Sequence, residues 1–263
     1  MKAAKYALAL AMALVLSAVF SVGARADSCV GTCGTDTVPD GVVTTPPSGA
    51  STVLYVSTAG STDTTAAAAA LGALGVGAPT LGFTNGSVYT TSTFSVGAGT
   101  NFLGYFDYVT SDGSGYPDSA YAALYTSGGT EVALLFSAQT TPSGDTSPGF
   151  AVTGGPAVDA TLTPSGVDLG TQSGPSWSEL GGSSGACWTA PGCGYTGWVE
   201  SQYTITTAGS YYIQFGVANA NDEEYDSGLA ATLQVPEPGT LALVFTGLGF
   251  VGILGPIRRK WLA

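Results

Sequence analysis

The chain has 263 residues, with 39 glycines, 18 carboxylates, six basic side chains and no histidine. Every basic residue (Lys2, Lys5, Arg25, Arg258, Arg259, Lys260) lies in one of the two end segments, so the stretch between carries a charge of about −17, the 18 carboxylates less Glu237 of the C-terminal segment. With no Lys or Arg to displace counterions, nucleic acid is excluded as a partner, and lysine Schiff bases, arginine phosphate clamps, histidine bases and histidine metal ligands go with it.

At the N-terminus, Met1-Lys2-Ala3-Ala4-Lys5 precedes an apolar run over 6–20 and then Ala24-Arg25-Ala26. This order predicts a secretory signal peptide over 1–26, its apolar run too short for a bilayer span, cut by signal peptidase after Ala26 with Ala24 and Ala26 as the small residues recognised. A lipoprotein alternative makes Cys29 the acylated residue, but Asp27 and Ser28 precede it where small apolar residues are wanted. From 27 to 50 the chain is polar, with Pro39, Pro46 and Pro47 and no sustained periodicity, and reads as a tether.

The body, 51–234, is rich in glycine, serine and threonine, and the chain's 13 tyrosines and 10 phenylalanines supply β-favouring bulk. A first strand is predicted at 51–57, followed by an alanine-rich segment over 62–77 that suits either a short helix or a packed loop. Apolar alternation and β-branched or aromatic runs between turn signals predict further strands at 87–96, 101–110, 120–126, 131–138, 158–163, 199–206, 210–218 and 228–235. Strands this short and closely spaced predict one all-β domain, a β-sandwich. The runs richest in bulky residues, 101–109 and 210–217, belong near the middle of its sheets. Long loops at 140–149 and 169–195 are where function in a sandwich concentrates.

The four cysteines fall into two local pairs, Cys29 with Cys33 and Cys187 with Cys193. Export to an oxidising compartment predicts two disulfides, and loop-closure entropy favours the neighbours in sequence. A four-thiolate zinc site is the rival reading, with the CxxxC and CxxxxxC spacings against it.

The densest run of oxygen-bearing side chains is Asn219, Asn221, Asp222, Glu223, Glu224 and Asp226, between the last two strands. Hard oxygen ligands so close together suit structural calcium, which tolerates irregular loops. The candidate ligands are Asn219, Asn221, Asp222, Glu224 and Asp226, joined by Asp107, Asp112 and Asp118 if the strand at 101–110 pairs with the last strands. The competing reading is a solvated turn in which Asp226 satisfies backbone N–H groups. A glycoside hydrolase needs only two carboxylates; Glu179 and Glu200 flank the cysteine loop, but nothing nominates them as a pair. Trp177, Trp188 and Trp198 are candidates for an aromatic sugar platform, with core packing as the alternative.

The C-terminal segment reads Val235-Pro236-Glu237-Pro238-Gly239, then 240–257 without a charge, then Arg258-Arg259-Lys260. An uncharged run of that length covers ~27 Å as a helix and predicts one transmembrane span opening at Pro238. The basic triplet then lies in the cytoplasm and the body outside.

The order Pro-Glu-Pro, apolar span, basic tail resembles the PEP-CTERM sorting signal of Gram-negative bacteria, over residues 235–263. That resemblance implies an exosortase-type membrane protease that recognises Pro236, Glu237 and Pro238 and removes the helix, delivering the body to the envelope or extracellular matrix. Residues 84–104 (TNGSVYTTSTFSVGAGTNFLG), 106–120 (FDYVTSDGSGYPDSA), 215–230 (FGVANANDEEYDSGLA) and the cysteine loop (GPSWSELGGSSGACWTAPGCGYTGW) look like a family of secreted bacterial proteins that end in such tails. The resemblance implies an exported β-sandwich of jelly-roll type, with no enzymatic activity that defines the family. The expected protein is therefore exported and non-enzymatic, structural or adhesive, and membrane-anchored before processing. The alternative is a carbohydrate-binding module or weak glycoside hydrolase acting on exopolysaccharide.

Overall fold

The structure, a computed structural model, describes residues 26–66, 72, 82–140, 152, 155–169, 172 and 174–234. Ala24, the Pro236-Glu237-Pro238 motif, the expected transmembrane helix and nearly all of the loop at 140–149 lie outside the described residues; Ala26 is exposed at the start of the first described segment. Among the described residues no helix is long and apolar enough to cross a membrane.

The chain forms an all-β sandwich of two antiparallel sheets. One sheet runs in the order β1 (Ser28–Val30), β4 (Phe83–Thr90), β12 (Gly209–Ala220), β7 (Ser119–Thr126) and β8 (Glu131–Gln139), with β5 (Phe94–Val96) continuing the β4 edge along β12. The other runs β2 (Thr32–Thr37), β3 (Thr52–Ser57), β13 (Ser227–Gln234), β6 (Thr100–Thr110), β11 (Val199–Ile205) and β9 (Thr161–Thr163), with β10 (Gly194–Tyr195) beside β6. The bulky strands β6 and β12 are interior to their sheets, as their composition predicts.

Period-two alternation sorts the side chains into three apolar layers. Phe102, Phe106 and Tyr108 of β6 face Ala122 and Leu124 of β7, Leu135 and Phe136 of β8 and Ile213 and Phe215 of β12 between the sheets. Phe106 stacks on Phe136 with centroids 5.2 Å apart. The outer face of the first sheet is covered around Tyr121, Ala123 and Leu134. On the outer face of the second sheet, Trp177 and Leu180 from a 3-10 helix over Ser178–Ser183 and its approach pack on Val53, Val109 and Ala230. Gly228 makes the seat for that indole: a Cβ there would stand 2.5 Å from the Trp177 ring.

Two predicted segments come out differently. Residues 27–50 are not a free tether: β1 and β2 pair with β4 and β3, and Val38 and Val43 are buried. The TCGTDT of β2 has no bulky apolar residue, so its pairing is carried by backbone hydrogen bonds that composition does not reveal. The chain passes from one sheet to the other at Gly31, φ 80°, where any Cβ would meet Ser87 Oγ at 2.3 Å. The Cys29–Cys33 disulfide spans this corner. The predicted strand at 87–96 is interrupted at 91–93, where Thr91 N still donates to Ile213 O at 2.9 Å but the return bond from Ile213 N goes to the Thr91 side chain, Oγ1, at 3.0 Å. The alanine-rich segment is helical at 64–66 and again at 72 within its described part.

Candidate functional site

Three connections meet at one end of the sandwich: 111–118 between β6 and β7, the loop closed by the Cys187–Cys193 disulfide, and 221–226 between β12 and β13. Both local disulfides expected from the spacing are formed. The second clamps its loop against 111–114, because Trp188 N donates to Ser111 O at 3.0 Å and Ser114 N to Pro191 O at 2.9 Å. Gly113 permits the approach, since a Cβ there would lie 1.8 Å from Thr189 O.

The surface they create is an aromatic and acidic cleft of about 400 Å³, lined by Tyr116, Trp188, Tyr225, Asp222 and Glu224. Trp188 is 50 % exposed, which is unusual for the largest apolar side chain in an otherwise well-covered sandwich. Its ring lies 5.1 Å from that of Tyr225 and 6.5 Å, edge-on, from that of Tyr116. Tyr225 sits at φ 54° and Asn221 at φ 75°. Asn enters the left-handed region readily; for a bulky residue such as Tyr it costs on the order of 1–3 kcal/mol and persists only where the surroundings impose it. The turn is held by Asn221 N donating to Gly82 O at 3.0 Å, by Glu224 N donating to Asp222 Oδ1 at 3.1 Å and by Thr84 Oγ1 donating to Asp222 O.

The five calcium candidates of this region are placed in different environments. Asp226 accepts from Ser183 Oγ at 2.8 Å and Thr58 Oγ1 at 3.2 Å, and its carbonyl accepts from Ser111 N and Oγ, so its carboxylate ties the turn to both neighbours through side-chain hydroxyls and not through the backbone N–H groups that the solvated-turn reading assigns to it. Asp222 and Glu224 line the cleft. Asn221 is exposed, its amide donating to Gly115 O at 3.5 Å. Asn219 is buried inside the sandwich. Among the described residues no three Asp, Glu or Cys side chains are gathered closely enough to hold a metal by themselves.

Beneath the cleft lies a polar layer in the interior. Asn219 of β12 continues the inward-facing series Phe215, Val217; it follows Ala218, which pairs with Ser119, and so lies beside Asp118, the residue that precedes β7. Asp118 Oδ1 accepts from Ala220 N at 2.8 Å, and Oδ2 accepts from Ser227 Oγ of the facing sheet at 2.6 Å. Its carbonyl accepts from Tyr108 OH at 3.0 Å and Thr140 N at 3.3 Å. Asp112, also buried, accepts from Gly113 N at 2.8 Å through one oxygen. Burial pushes the Asp118 carboxyl well above the carboxylate range, and the neighbouring charges of Asp112 and Asp222 push it further. The Asp112 carboxyl is raised for the same two reasons, burial first and then the charge of Asp222.

Asp107 does not join Asp112 and Asp118. It alternates with Phe106 and Tyr108 and so faces the outer side of its sheet, where Thr196 Oγ1 donates to it at 3.4 Å. The three tryptophans do not form one platform either. Trp177 is fully buried with its Nε1 donating to Asp36 Oδ2 at 3.0 Å, Trp198 donates to Thr44 O at 2.8 Å, and Trp188 alone reaches the cleft. Glu179 neighbours Tyr55, whose phenol is pushed up to about 12 by burial and then by that carboxylate. Glu200 accepts from Gln202 Nε2 at 2.5 Å on β11. Neither glutamate lines the cleft. Tyr116 and Tyr225 escaped the sequence reading, although each stands as a lone aromatic residue inside an Asp-, Ser- or Glu-rich turn.

No family model matches the chain, and no curated protein matches it significantly. Among solved structures it is similar, over 82 % of its length and 89 % of the other chain, to the carbohydrate-binding module TmCBM61 in complex with β-1,4-galactotriose, with 8 % identity and a TM-score of 0.34. It is also similar to the K1 cleaved adhesin domain of Lys-gingipain from Porphyromonas gingivalis W83, covering 81 % of this chain and 94 % of that one, with 8 % identity and a TM-score of 0.31. Likeness at this level carries no argument about a ligand, which rests on the side chains of the cleft.

Proposed function

We propose that this protein is an exported, non-enzymatic binding module whose cleft at Trp188 takes a neutral glycan of the cell envelope or extracellular matrix. The observation that carries the reading is the half-exposed Trp188 flanked by Tyr116 and Tyr225, with the carboxylates of Asp222 and Glu224 at the same cleft. Aromatic faces stack on the apolar face of a pyranose, while carboxylates accept strong hydrogen bonds from its hydroxyls. With no side-chain cation between residues 26 and 257, a glycan bearing uronates or sulfates is repelled, so the class is narrowed to neutral sugars. An adhesive role in the matrix is then a consequence of glycan binding. Two formed disulfides suit an oxidising, extracellular compartment. Export through the signal peptide ending at Ala26 and sorting at Pro236-Glu237-Pro238 by an exosortase-type protease complete the reading, with anchoring by the C-terminal helix before processing.

The test is a glycan array and titration with the full-length protein and its Trp188→Ala variant. Expected is binding to one or more neutral oligosaccharides, weakened at least about tenfold in the variant, as for a truncated aromatic anchor, with the unfolding midpoint unchanged because the indole is half in solvent. Absence of binding across neutral glycans, or equal binding by Trp188→Ala, rejects the cleft as a sugar site.

A further inference from the structure

Three carboxylates, Asp107, Asp112 and Asp118, are buried, in a body with no Lys, Arg or His to neutralise them. Taking a carboxylate out of water without a counter-charge costs several kcal/mol even after relaxation. Asp107 stands apart on the outer side of its sheet; Asp112 and Asp118 share the interior layer under the cleft. Around these two, buried polar atoms are left without a partner: the second oxygen of Asp112, both Oδ1 and Nδ2 of Asn219, and Oδ1 of Asn85. Each such orphan costs about 1–3 kcal/mol, so their grouping in one layer asks for a common explanation. Asn219 and Asp118 lie one residue beyond the Ala218–Ser119 pair that ends the β7–β12 register, with Asp118 bonded to Ala220 N, and Asn85, whose Nδ2 donates to Ser61 O at 2.6 Å, lies on the neighbouring strand β4.

We propose that this layer binds a calcium ion, through the free oxygen of Asp112, the amide oxygen of Asn219 and the carboxylate of Asp118. Calcium takes six to eight oxygen donors, amide and carboxylate alike, and keeps water where the protein supplies too few. Zinc and copper favour thiolate or imidazole, of which this layer has none, and magnesium demands a more regular octahedron. The ion supplies the counter-charge that the sequence withholds, takes up Asn219 Oδ1 and Asp112 Oδ2, and orients a bound water to accept from Asn219 Nδ2. Only two carboxylates take part, and the amide completes the set. This differs from a surface site in the 221–226 turn, where Asp226 is already committed to Ser183 and Thr58. It does not depend on the glycan reading, since it is read out by metal binding.

The test uses full-length protein stripped with a calcium chelator and then titrated with calcium chloride at constant ionic strength, following bound metal by mass spectrometry and stability by thermal unfolding. Expected is one calcium per chain and an unfolding midpoint that climbs with calcium concentration as binding linkage requires, with a smaller response to magnesium. The variant Asp112→Asn keeps the acceptor for Gly113 N. It should lose at least about tenfold in calcium affinity, yet unfold in chelator at the same temperature as the parent or higher, since a buried charge is gone. Asp222→Asn with Glu224→Gln should leave stoichiometry intact. A parent protein that binds no calcium, an Asp112→Asn variant of unaltered affinity, or loss of the ion in the cleft double variant overturns the proposal. If Asp112→Asn does not fold, the stoichiometry and midpoint shift of the parent still decide.

Discussion

Asp107 shows how a single side chain can make this protein sensitive to pH. It is buried on the outer side of the second sheet with Thr196 Oγ1 and the Gly197 N–H as hydrogen-bond donors, and burial raises its carboxyl to about 8. In the unfolded chain an aspartate titrates near ~3.9. Because the folded value is the higher one, the contribution of Asp107 to stability is full below pH ~4, falls as pH rises through the window to about 8, and is gone above it. Asp107→Asn keeps an acceptor for Thr196 and removes the titration. Measured in chelator, the variant should therefore match the parent near pH ~4 and unfold at a higher temperature near pH ~8. A difference in midpoint that does not change with pH would show that the carboxyl is not protonated in the folded state.

Among the elements, β6 and β12 were legible because bulky residues recur on alternate positions, NFLGYFDYV and SYYIQFGV, over more residues than any turn occupies. β1, β2 and β10 were not, since β2 is built of small polar residues and β1 and β10 are only three and two residues long, too short for alternation to show before a partner supplies their hydrogen bonds. The disulfides were readable from spacing and compartment. The depth of Asp112 and Asp118 was not, because both stand in the connection between β6 and β7, where alternation no longer says inside or outside; Asn219 does continue the alternation of β12, but its polar side chain beside an acidic turn reads as loop. The cleft was half legible: the acidic turn and Trp188 were singled out, but their meeting with Tyr116 depends on the disulfide loop lying across 111–114. That dependence is testable. Replacing Cys187 and Cys193 by serine removes a closed loop worth roughly 2 kcal/mol in chain entropy. Cys193 is itself fully buried, so the unfolding midpoint should fall by about 4–8 °C, and glycan affinity should fall by at least about tenfold. A variant with parental affinity would mean that the hydrogen bonds of Trp188 and Ser114 hold the indole without the covalent closure.

At the scale of the whole molecule the charge pattern has an unusual consequence for salt. In a protein with mixed charges, ions in solution weaken attractive and repulsive pairs together, and the net effect on stability is small and of either sign. Residues 26–234 hold 17 carboxylates, the 18 of the chain less Glu237, and not one side-chain cation, so every long-range pair is repulsive. Folding brings these charges closer than they are in the unfolded chain, and self-repulsion opposes the compact state. Raising sodium chloride from ~10 mM to ~150 mM shortens the screening length from ~30 Å to ~8 Å and relieves that repulsion without an ion pair to lose. The unfolding midpoint of chelated protein should therefore rise monotonically with sodium chloride, by several degrees, while calcium should act at far lower concentration and saturate once its site is filled. Chloride is the informative anion, since sulfate would add its own exclusion from apolar surface. A midpoint that is flat or falls across this range would mean that the carboxylates are already neutralised in the folded protein, by protons or by bound cations that chelation fails to remove.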